Sequence, residues 1–395
     1  MMRQEDSRIF YFCSINSKSY EQNVGHKLHI GAATNKVLSI ISALRYNMCK
    51  AYSVSLPVLG YNSNHKKFSS KVLHENNIPM IFLPVYSHPL LRRLHGIFIF
   101  AFFCLRHVRH QDKVIIYNYV PEYILSLLIL RLKGNPALID IEDAPLPTNK
   151  NLKELINKIT FKITKILCQK RYITVSEQIA KNLKLFSYCV IYGASKQFLP
   201  TKKINTSYRF IYGGTLCHDT GLDLFCEALK YLFYHKPTNN LPVEFIVTGF
   251  GGESQIESLQ NALKGTYISI EINHNITPTQ YQKILRSCHA GLALKLPNTE
   301  VGSTTFPSKI IEITSSGLLL ISTSTSDVPL IFSDKNTAII IEETTAKNLG
   351  DNLIWVIENI DYSISISDRG NKLAAKLFSE QLIGEKIKQF IFKEN

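Results

Sequence analysis

The chain has 395 residues, of which 45% are hydrophobic and 19% are charged. This composition excludes a disordered, collagen-like or coiled-coil protein, and the length predicts two domains with separate cores. The formal charge of +14 is uneven: residues 1–198 contain 27 Lys and Arg against 11 Asp and Glu, whereas residues 199–395 contain 18 against 20. The first half should therefore attract an anionic partner, such as a membrane surface, a phosphorylated substrate or nucleic acid.

Short β-rich runs alternate with helical patterns along the first half. The predicted strands are residues 8–15, 52–59, 80–85, 113–117 and 137–141, and a helix is predicted from 34 to 48. An apolar run between Arg93 and Arg106 is too short to span a bilayer. It predicts either a helix packed between the sheet and its neighbours, or an anchor in the lipid boundary with its arginines on the headgroups.

The second half repeats this alternation. Its predicted strands are 209–212, 243–248, 268–271, 290–294, 318–322 and 338–341, and its predicted helices are 222–234, 254–263, 278–287 and 308–315. Apolar strands alternating with helices indicate parallel sheets covered on both faces. The sequence therefore predicts two doubly wound domains, with ligands outside the carboxyl ends of the strands and the cleft between the domains as the default site.

The expected domain boundaries follow from the polar, proline-containing stretch at 199–207. Residues 1–198 form the predicted N-terminal domain and residues 199–375 the C-terminal one. A last helix, 376–395, is expected to pack back towards the N-terminal domain.

The eight cysteines predict buried, reduced thiols. No two are closer than nine residues, so the pairs that zinc sites and redox motifs use are absent. The acidic, polar residues 1–6 do not resemble a signal peptide. The protein is therefore expected to be cytoplasmic.

The first candidate site opens the predicted helix after the first strand. Gly31 and Asn35 lie where free backbone N–H groups suit a phosphate or a sugar. The alternative is an ordinary helix start capped by Thr34.

A second candidate site is a pair of carboxylates at the end of a predicted strand. Glu142 and Asp143 directly follow the strand at 137–141. There a carboxylate can orient an acceptor hydroxyl or act as a base, although a solvated turn would look the same.

Glycines follow two strands of the second half. Gly213 and Gly214 precede Thr215 after the first of them, and Gly249 follows the next. Such glycines allow a ligand to approach the backbone closely, but they also make simple turns.

The most informative pattern is a polar segment that runs into the helix at 308–315. The segment comprises Thr304, Thr305, Phe306, Pro307, Ser308 and Lys309. N–H groups of a first helical turn bind diphosphate, and Glu312 can accept hydrogen bonds from ribose hydroxyls. Taken alone, the pattern fits any capped helix.

These residues carry a family resemblance. The segments YGGTLCHDTGLDLFCEAL (212–229), VTGFGG, HAGLALKL and FPSKIIEITSSGLLLISTSTSDVP (306–329) resemble bacterial family 4 glycosyltransferases, of the subset with an FPSK-x-x-E donor-site helix. The resemblance implies the GT-B architecture, in which two Rossmann-like, doubly wound domains face each other across a cleft. The second domain would hold the nucleotide-sugar and the first would hold the acceptor.

The implied reaction is transfer of a sugar, with retention of anomeric configuration, from a nucleotide-sugar to a hydroxyl of a glycan acceptor. The acceptor would be lipid-linked, in surface polysaccharide synthesis such as O-antigen or capsule, and no metal or other cofactor is expected. Asp143 and Glu312 are the expected catalytic residues. The basic residues of the first half would bind the chain to the anionic inner face of the cytoplasmic membrane, rather than to nucleic acid.

Three positions depart from the family pattern. Thr304 replaces the first of two glutamates, and Thr215 and Thr220 replace cationic residues. Lys295 and Lys309 are the expected substitutes for neutralising the diphosphate. Two alternatives remain open: a nucleotide-sugar epimerase on the same architecture, or a catalytically weak or inert GT-B partner subunit.

Overall fold

A computed structural model shows two α/β units, each built on a largely parallel sheet. The structure describes residues 7–25, 27–28, 30–59, 67–143, 152–202, 206–274 and 276–393. The predicted turn after 143, part of the predicted linker (203–205) and the polar N-terminal residues 1–6 lie outside them. Unit 1 comprises Met1–Ala194 and Glu380–Asn395, and unit 2 comprises Ser195–Ser379.

The strands of unit 1 form an eight-stranded sheet and a small antiparallel ribbon. They are β1 (Arg8–Cys13), β2 (Lys50–Ser55), β3 (Lys67–Phe68), β4 (Lys71–Glu75), β5 (Ile78–Phe82), β6 (Val85–Tyr86), β7 (Lys113–Tyr117), β8 (Leu138–Ile141), β9 (Tyr172–Thr174) and β10 (Tyr188–Val190). The sheet order is β10-β9-β8-β7-β1-β2-β5-β4, and β3 pairs with β6. The edge strand β4 runs antiparallel to β5 and was not predicted. The strand order reverses between β1 and β7, which makes their carboxyl ends a switch point where ligands bind in such sheets.

The helices of unit 1 connect these strands. They are α1 (Lys18–Val24), α2 (Ala32–Tyr46), α3 (Pro89–His107), α4 (Ile124–Leu132), α5 (Leu152–Leu167) and α6 (Glu177–Asn182), with a 3-10 turn before α4. The alternative in which Thr34 caps α2 is wrong. The helix begins two residues earlier with Gly31 as its N-cap, and the Thr34 hydroxyl donates to the Asn16 carbonyl, 3.0 Å away.

Unit 2 has a six-stranded, fully parallel sheet. Its strands are β11 (Tyr208–Thr215), β12 (Val243–Phe250), β13 (Ile268–His274), β14 (Ala290–Ala293), β15 (Leu319–Thr323) and β16 (Ile339–Ile341), in the order β13-β12-β11-β14-β15-β16. The switch point lies between β11 and β14. Phe210, Phe225 and Phe245 pack together in the core beneath it.

The helices of unit 2 largely follow the predicted pattern. They are α7 (Leu222–Tyr234), α8 (Glu253–Ala262), α9 (Pro278–Ser287), α10 (Glu300–Thr304), α11 (Lys309–Ser315), α12 (Val328–Ile331), α13 (Ala346–Glu358) and α14 (Ile360–Phe378). The bounds of α9 match the prediction because Thr277 and Gln280 form a capping box and Pro278 fills the first helical position. One expectation is corrected: Thr304 ends the short helix α10 and does not lie in a loop.

A final helix, α15 (Glu380–Phe392), belongs to unit 1 and packs against α2. Ile383, Ile387 and Ile391 are buried there. A Cβ added at Gly384 would lie 2.0 Å from the Ala43 carbonyl oxygen, so the two helices meet at backbone distance.

The apolar run between Arg93 and Arg106 lies within α3, which is buried on one side only. Phe100, Phe103 and Cys104 pack inward, whereas Phe98 and Phe102 are exposed. Among the described helices, none has the length and hydropathy needed to cross a membrane.

Candidate functional site

The glycines of unit 2 lie at the carboxyl ends of paired strands. Gly213 and Gly214 are part of β11 and pair with Thr248 and Gly249 of β12, so they are not in a loop as expected. A Cβ at Gly213 would lie 2.2 Å from the Thr248 hydroxyl oxygen, and one at Gly249 would lie 1.9 Å from the Gly214 carbonyl oxygen. Gly249 also has a φ of 127°. Side chains are therefore excluded here, and the strand ends beside the switch point stay bare.

A cluster of three polar side chains lies next to Gly214. The Lys309 ammonium donates to Glu312 Oε2 and to Tyr281 Oη, each 2.9 Å away. The Tyr281 hydroxyl donates to the same Glu312 oxygen, also at 2.9 Å. A Cβ built on Gly214 would lie 3.8 Å from Lys309 Cε. The cluster thus combines a cation, a carboxylate and an aromatic ring beside bare backbone.

The electrostatics of this cluster keep Lys309 charged. Burial lowers the pKa of Lys309, but the Glu312 carboxylate and the Tyr281 hydroxyl outweigh burial and raise it. Burial, followed by Glu312, raises the pKa of Tyr281, so its hydroxyl stays protonated. The ammonium also lies 4.6 Å from the centre of the Tyr281 ring, within cation–π distance. Lys309 and Tyr281 both donate their hydrogen bonds to Glu312 Oε2, and Glu312 Oε1 takes no part in them.

The polar segment before α11 is held by its own contacts. The Lys295 ammonium donates to the Thr305 hydroxyl, and the Thr304 carbonyl accepts from Ser326, 3.3 Å away. Phe306 is buried. Lys295 therefore lies at the carboxyl end of β14, across the switch point from the glycines of β11.

The start of α11 is a backbone turn. The carbonyls of Pro307 and Ser308 accept from the N–H groups of Ile310 and Ile311, 3.1 and 3.2 Å away. The Ser308 side chain makes no capping bond. These residues set the direction of the helix that carries Lys309 and Glu312.

Thr215 and Thr220 close a turn. They stand at the two positions where the family that the sequence resembles has cationic residues. The Thr220 hydroxyl donates to the Thr215 carbonyl, 2.6 Å away, and accepts from the Cys217 N–H at 3.1 Å. These two threonines therefore shape the loop after β11, and they bring no positive charge to it.

Unit 1 contains a buried ionic cluster at the ends of β1, β7 and β8. Lys36 of α2 lies 3.2 Å from both Asp140 Oδ1 and Glu142 Oε2. The hydroxyl of Tyr11 donates to Asp140, and that of Tyr117 donates to Glu142. Asp140 is fully buried and the Lys36 side chain is 9% exposed. Burial raises the pKa of Asp140, opposed by the Lys36 charge and the Tyr11 hydrogen bond.

Asn118 joins the two predicted carboxylates. Its side-chain oxygen accepts from the N–H groups of Glu142 and Asp143, 2.8 and 3.2 Å away, and its amide donates to the Asp143 carboxylate at 3.2 Å. Asp143 is exposed, and Asn35 is exposed on the first turn of α2. The structure thus fixes the backbone that carries the Asp143 carboxylate.

Sequence reasoning missed several residues of both clusters. Tyr281 lies 31 positions from Glu312 and gives no local signal. The order of the strands in the sheet brings four residues to the carboxylates of unit 1: Tyr11, Lys36, Tyr117 and Asn118. Lys36 directly follows Asn35 of the first candidate site and is the one cation there, so the sequence did point to it. Among the described residues, no three His, Cys, Asp or Glu side chains group as a metal site requires.

Comparisons with known proteins place these observations in a family context. Residues 207–359 match a protein-family model described as glycosyl transferases group 1. No curated protein sequence matches the chain.

Solved structures resemble the chain over nearly its whole length. Trehalose-6-phosphate synthase OtsA has a TM-score of 0.70 at 12% identity, covering 98% of this chain and 100% of its own. HepE of Anabaena in complex with UDP and glucose has a TM-score of 0.65 at 12% identity, with coverages of 98% and 99%. Sucrose-phosphate synthase of Thermosynechococcus elongatus has a TM-score of 0.66 at 13% identity, with coverages of 97% and 98%.

The predicted fold class is confirmed, because the likeness to these structures shows the GT-B fold. The family match covers 207–359, the part of unit 2 that carries Lys309, Glu312 and the bare strand ends. The chain has the GT-B fold, its residues 207–359 match the model described as glycosyl transferases group 1, and it is a transferase enzyme.

Proposed function

We propose that the chain is a retaining glycosyltransferase that moves a sugar from a nucleotide-sugar to a hydroxyl of a lipid-linked glycan in surface polysaccharide synthesis. The observation that carries the proposal is the cluster of Lys309, Glu312 and Tyr281 beside Gly214, within the matched domain.

The donor half of the proposal rests on the chemistry of this cluster. A nucleotide-sugar presents vicinal ribose hydroxyls and a diphosphate. Glu312 Oε1 takes no part in the hydrogen bonds within the cluster. It accepts hydrogen bonds from the ribose hydroxyls, as acidic residues do in nucleotide sites. Lys309 and Lys295 are cations at the switch point that stabilise charge developing on the departing diphosphate.

The bare strand ends support the same assignment. Gly213, Gly214 and Gly249 let the donor reach backbone N–H groups without a side chain between them. UDP-sugars are the first donors to test, since structures of this fold have been solved with UDP and glucose and with UDP-2-fluoro glucose.

The acceptor half of the proposal assigns Glu142 and Asp143 to orient the attacking hydroxyl. Asn118 fixes their backbone, and Lys36 and Tyr117 hold Glu142, so Asp143 is the more exposed carboxylate. The excess of basic residues in 1–198 suits an acceptor carrying a lipid diphosphate.

The test is donor binding by Glu312→Gln. A panel of UDP-, GDP- and dTDP-sugars is screened by thermal shift, because a bound donor stabilises the chain by mass action. Calorimetry then gives Kd for the best donor. The variant should bind about 10- to 100-fold more weakly, the effect of one lost charge-assisted hydrogen bond.

Glu244→Gln is the matched control. Glu244 is 35% exposed like Glu312, and Arg209 pairs with it at 3.0 Å, but it lies near the amino end of β12. Equal donor affinity in Glu312→Gln and the control would refute the site. If the chain binds donors yet shows no donor hydrolysis and no transfer, the inert-subunit alternative stands instead.

A further inference from the structure

Helix α3 presents a continuous apolar stripe to solvent. Leu91, Leu94, Phe98, Phe102 and Leu105 follow each other at helical spacing and are 49–65% exposed. The opposite side of the helix is buried against the sheet. This stripe runs the length of the 19-residue helix, so it is not a scatter of single exposed residues.

Helix α5 is amphipathic, but its apolar side faces solvent instead of the core. Its exposed residues include Leu152, Leu155, Ile156, Ile159 and Ile166, which are 44–71% exposed. Its buried residues are Phe161 and two threonines, Thr160 and Thr164. Surface helices turn their apolar side towards the core, so the orientation of α5 leaves an apolar side that no described residue of the protein covers.

Helix α4 joins the two stripes. It contacts α3 on one side and α5 on the other, and Leu128 and Leu132 of its outer side are exposed. We call the outer surface of α3, α4 and α5 the three-helix face.

The charges of the three-helix face are almost all positive. The three helices contain eight Lys and Arg and one acidic residue, Glu154. Arg93, Arg106, Lys153 and Lys162 are exposed beside the apolar stripes. An apolar surface edged by cations matches an anionic bilayer, whose acyl boundary takes the apolar side chains and whose phosphates take the cations. A second copy of the chain docked on this face would bring like charges together.

We propose that the three-helix face docks on the surface of an anionic phospholipid bilayer, with α3 and α5 lying in the plane of the headgroups. The inference rests on the proposed function only in that a lipid-linked acceptor gives the docking its purpose. It extends the expectation of an anchor at the apolar run of α3 to a surface built from three helices.

The experiment is vesicle flotation of the full chain, without donor or acceptor. The chain should float with phosphatidylcholine vesicles containing 30% phosphatidylglycerol in 50 mM salt, and far less with phosphatidylcholine alone or in 500 mM salt. The double variant Phe98→Asp/Ile159→Asp should bind at least about tenfold more weakly, because two apolar anchors become charges.

Phe186→Asp/Leu382→Asp is the matched control. It adds the same charge at exposed apolar residues of unit 1 outside the three-helix face and should float like the wild type. Failure of the wild type to float in low salt, or equal flotation of the two double variants, would overturn the proposal. So would a wild-type dimer in sedimentation that Phe98→Asp/Ile159→Asp dissociates while neither protein floats.

Donor binding is measured on the same proteins. It should be unchanged in Phe98→Asp/Ile159→Asp and weakened in Glu312→Gln, as stated under the proposed function, whereas Glu312→Gln should still float. A failure of docking is thereby distinguished from a failure of the proposed function.

Discussion

Replacing Lys36 by Met tests the ionic cluster of unit 1. The substitution removes the cation that lies 3.2 Å from both Asp140 and Glu142, and it leaves Asp140 fully buried with the Tyr11 hydroxyl as its remaining partner in the cluster. Breaking a buried pair from one side costs about 3–5 kcal/mol, because a charge is left without compensation. Lys36→Met should therefore lower the free energy of unfolding of unit 1 by about that amount at pH 7.

The loss should depend on pH. Burial already raises the pKa of Asp140, and removing Lys36 raises it further. Stability from a carboxyl whose folded pKa is raised is fully present below its unfolded pKa and is lost as the pH rises through the folded pKa. The deficit of Lys36→Met should therefore be largest at neutral pH and should shrink as the pH falls.

The assay is urea unfolding followed by far-UV circular dichroism at pH 7 and pH 5. The single tryptophan, Trp355, lies in unit 2, so its fluorescence reports on that unit separately. Lys372→Met is the control, because it breaks an exposed pair with Asp368 at 2.6 Å and should cost at most about 1 kcal/mol. A loss below about 1 kcal/mol for Lys36→Met, or a loss that is the same at both pH values, would refute the reasoning.

Three further predictions concern the candidate site. Gly249→Ala places a Cβ 1.9 Å from a carbonyl oxygen and should destabilise unit 2 by about 3 kcal/mol or more, whereas Gly265→Ala, with φ 80° and open space, should cost only about 1 kcal/mol by thermal unfolding. Tyr281→Phe keeps the ring over Lys309 and removes one hydrogen bond to Glu312, so donor Kd should rise less than in Glu312→Gln by calorimetry. Asn118→Ala frees the backbone of Asp143, so KM for the acceptor should rise while the donor Kd stays unchanged.

Local signals were enough to predict most of the fold. The bounds of α7 and α9 were predicted as observed, because capping residues mark the start of α9 and the apolar periodicity of α7 ends with it. The short helix α10 was not predicted, since Gly302, Ser303 and Thr304 in it are small or polar and are typical of a loop. Strand β4 is largely exposed at a sheet edge, so it lacks the apolar pattern of the buried strands.

The candidate sites were predicted only in part, for a physical reason. Glu312 and Lys309 lie three residues apart on one helix, and such neighbours can be identified from sequence. Lys36 and Asp140 are 104 positions apart, and their pairing depends on which strands become neighbours in the sheet. The exposure of the apolar side of α5 could not be predicted either. Periodicity shows that a helix has an apolar side, but it does not show whether that side faces the core or the solvent.

The packing of α15 against α2 bears on the order in which the chain folds during synthesis. Residues 380–392 emerge from the ribosome after all of unit 2, yet they cover the side of α2 that meets Gly384. Until then unit 1 exposes an apolar helix side, whereas unit 2 already has every one of its strands and helices. Unit 2 can therefore complete its folding first, and the nascent unit 1 is the part of the chain that a chaperone would have to protect.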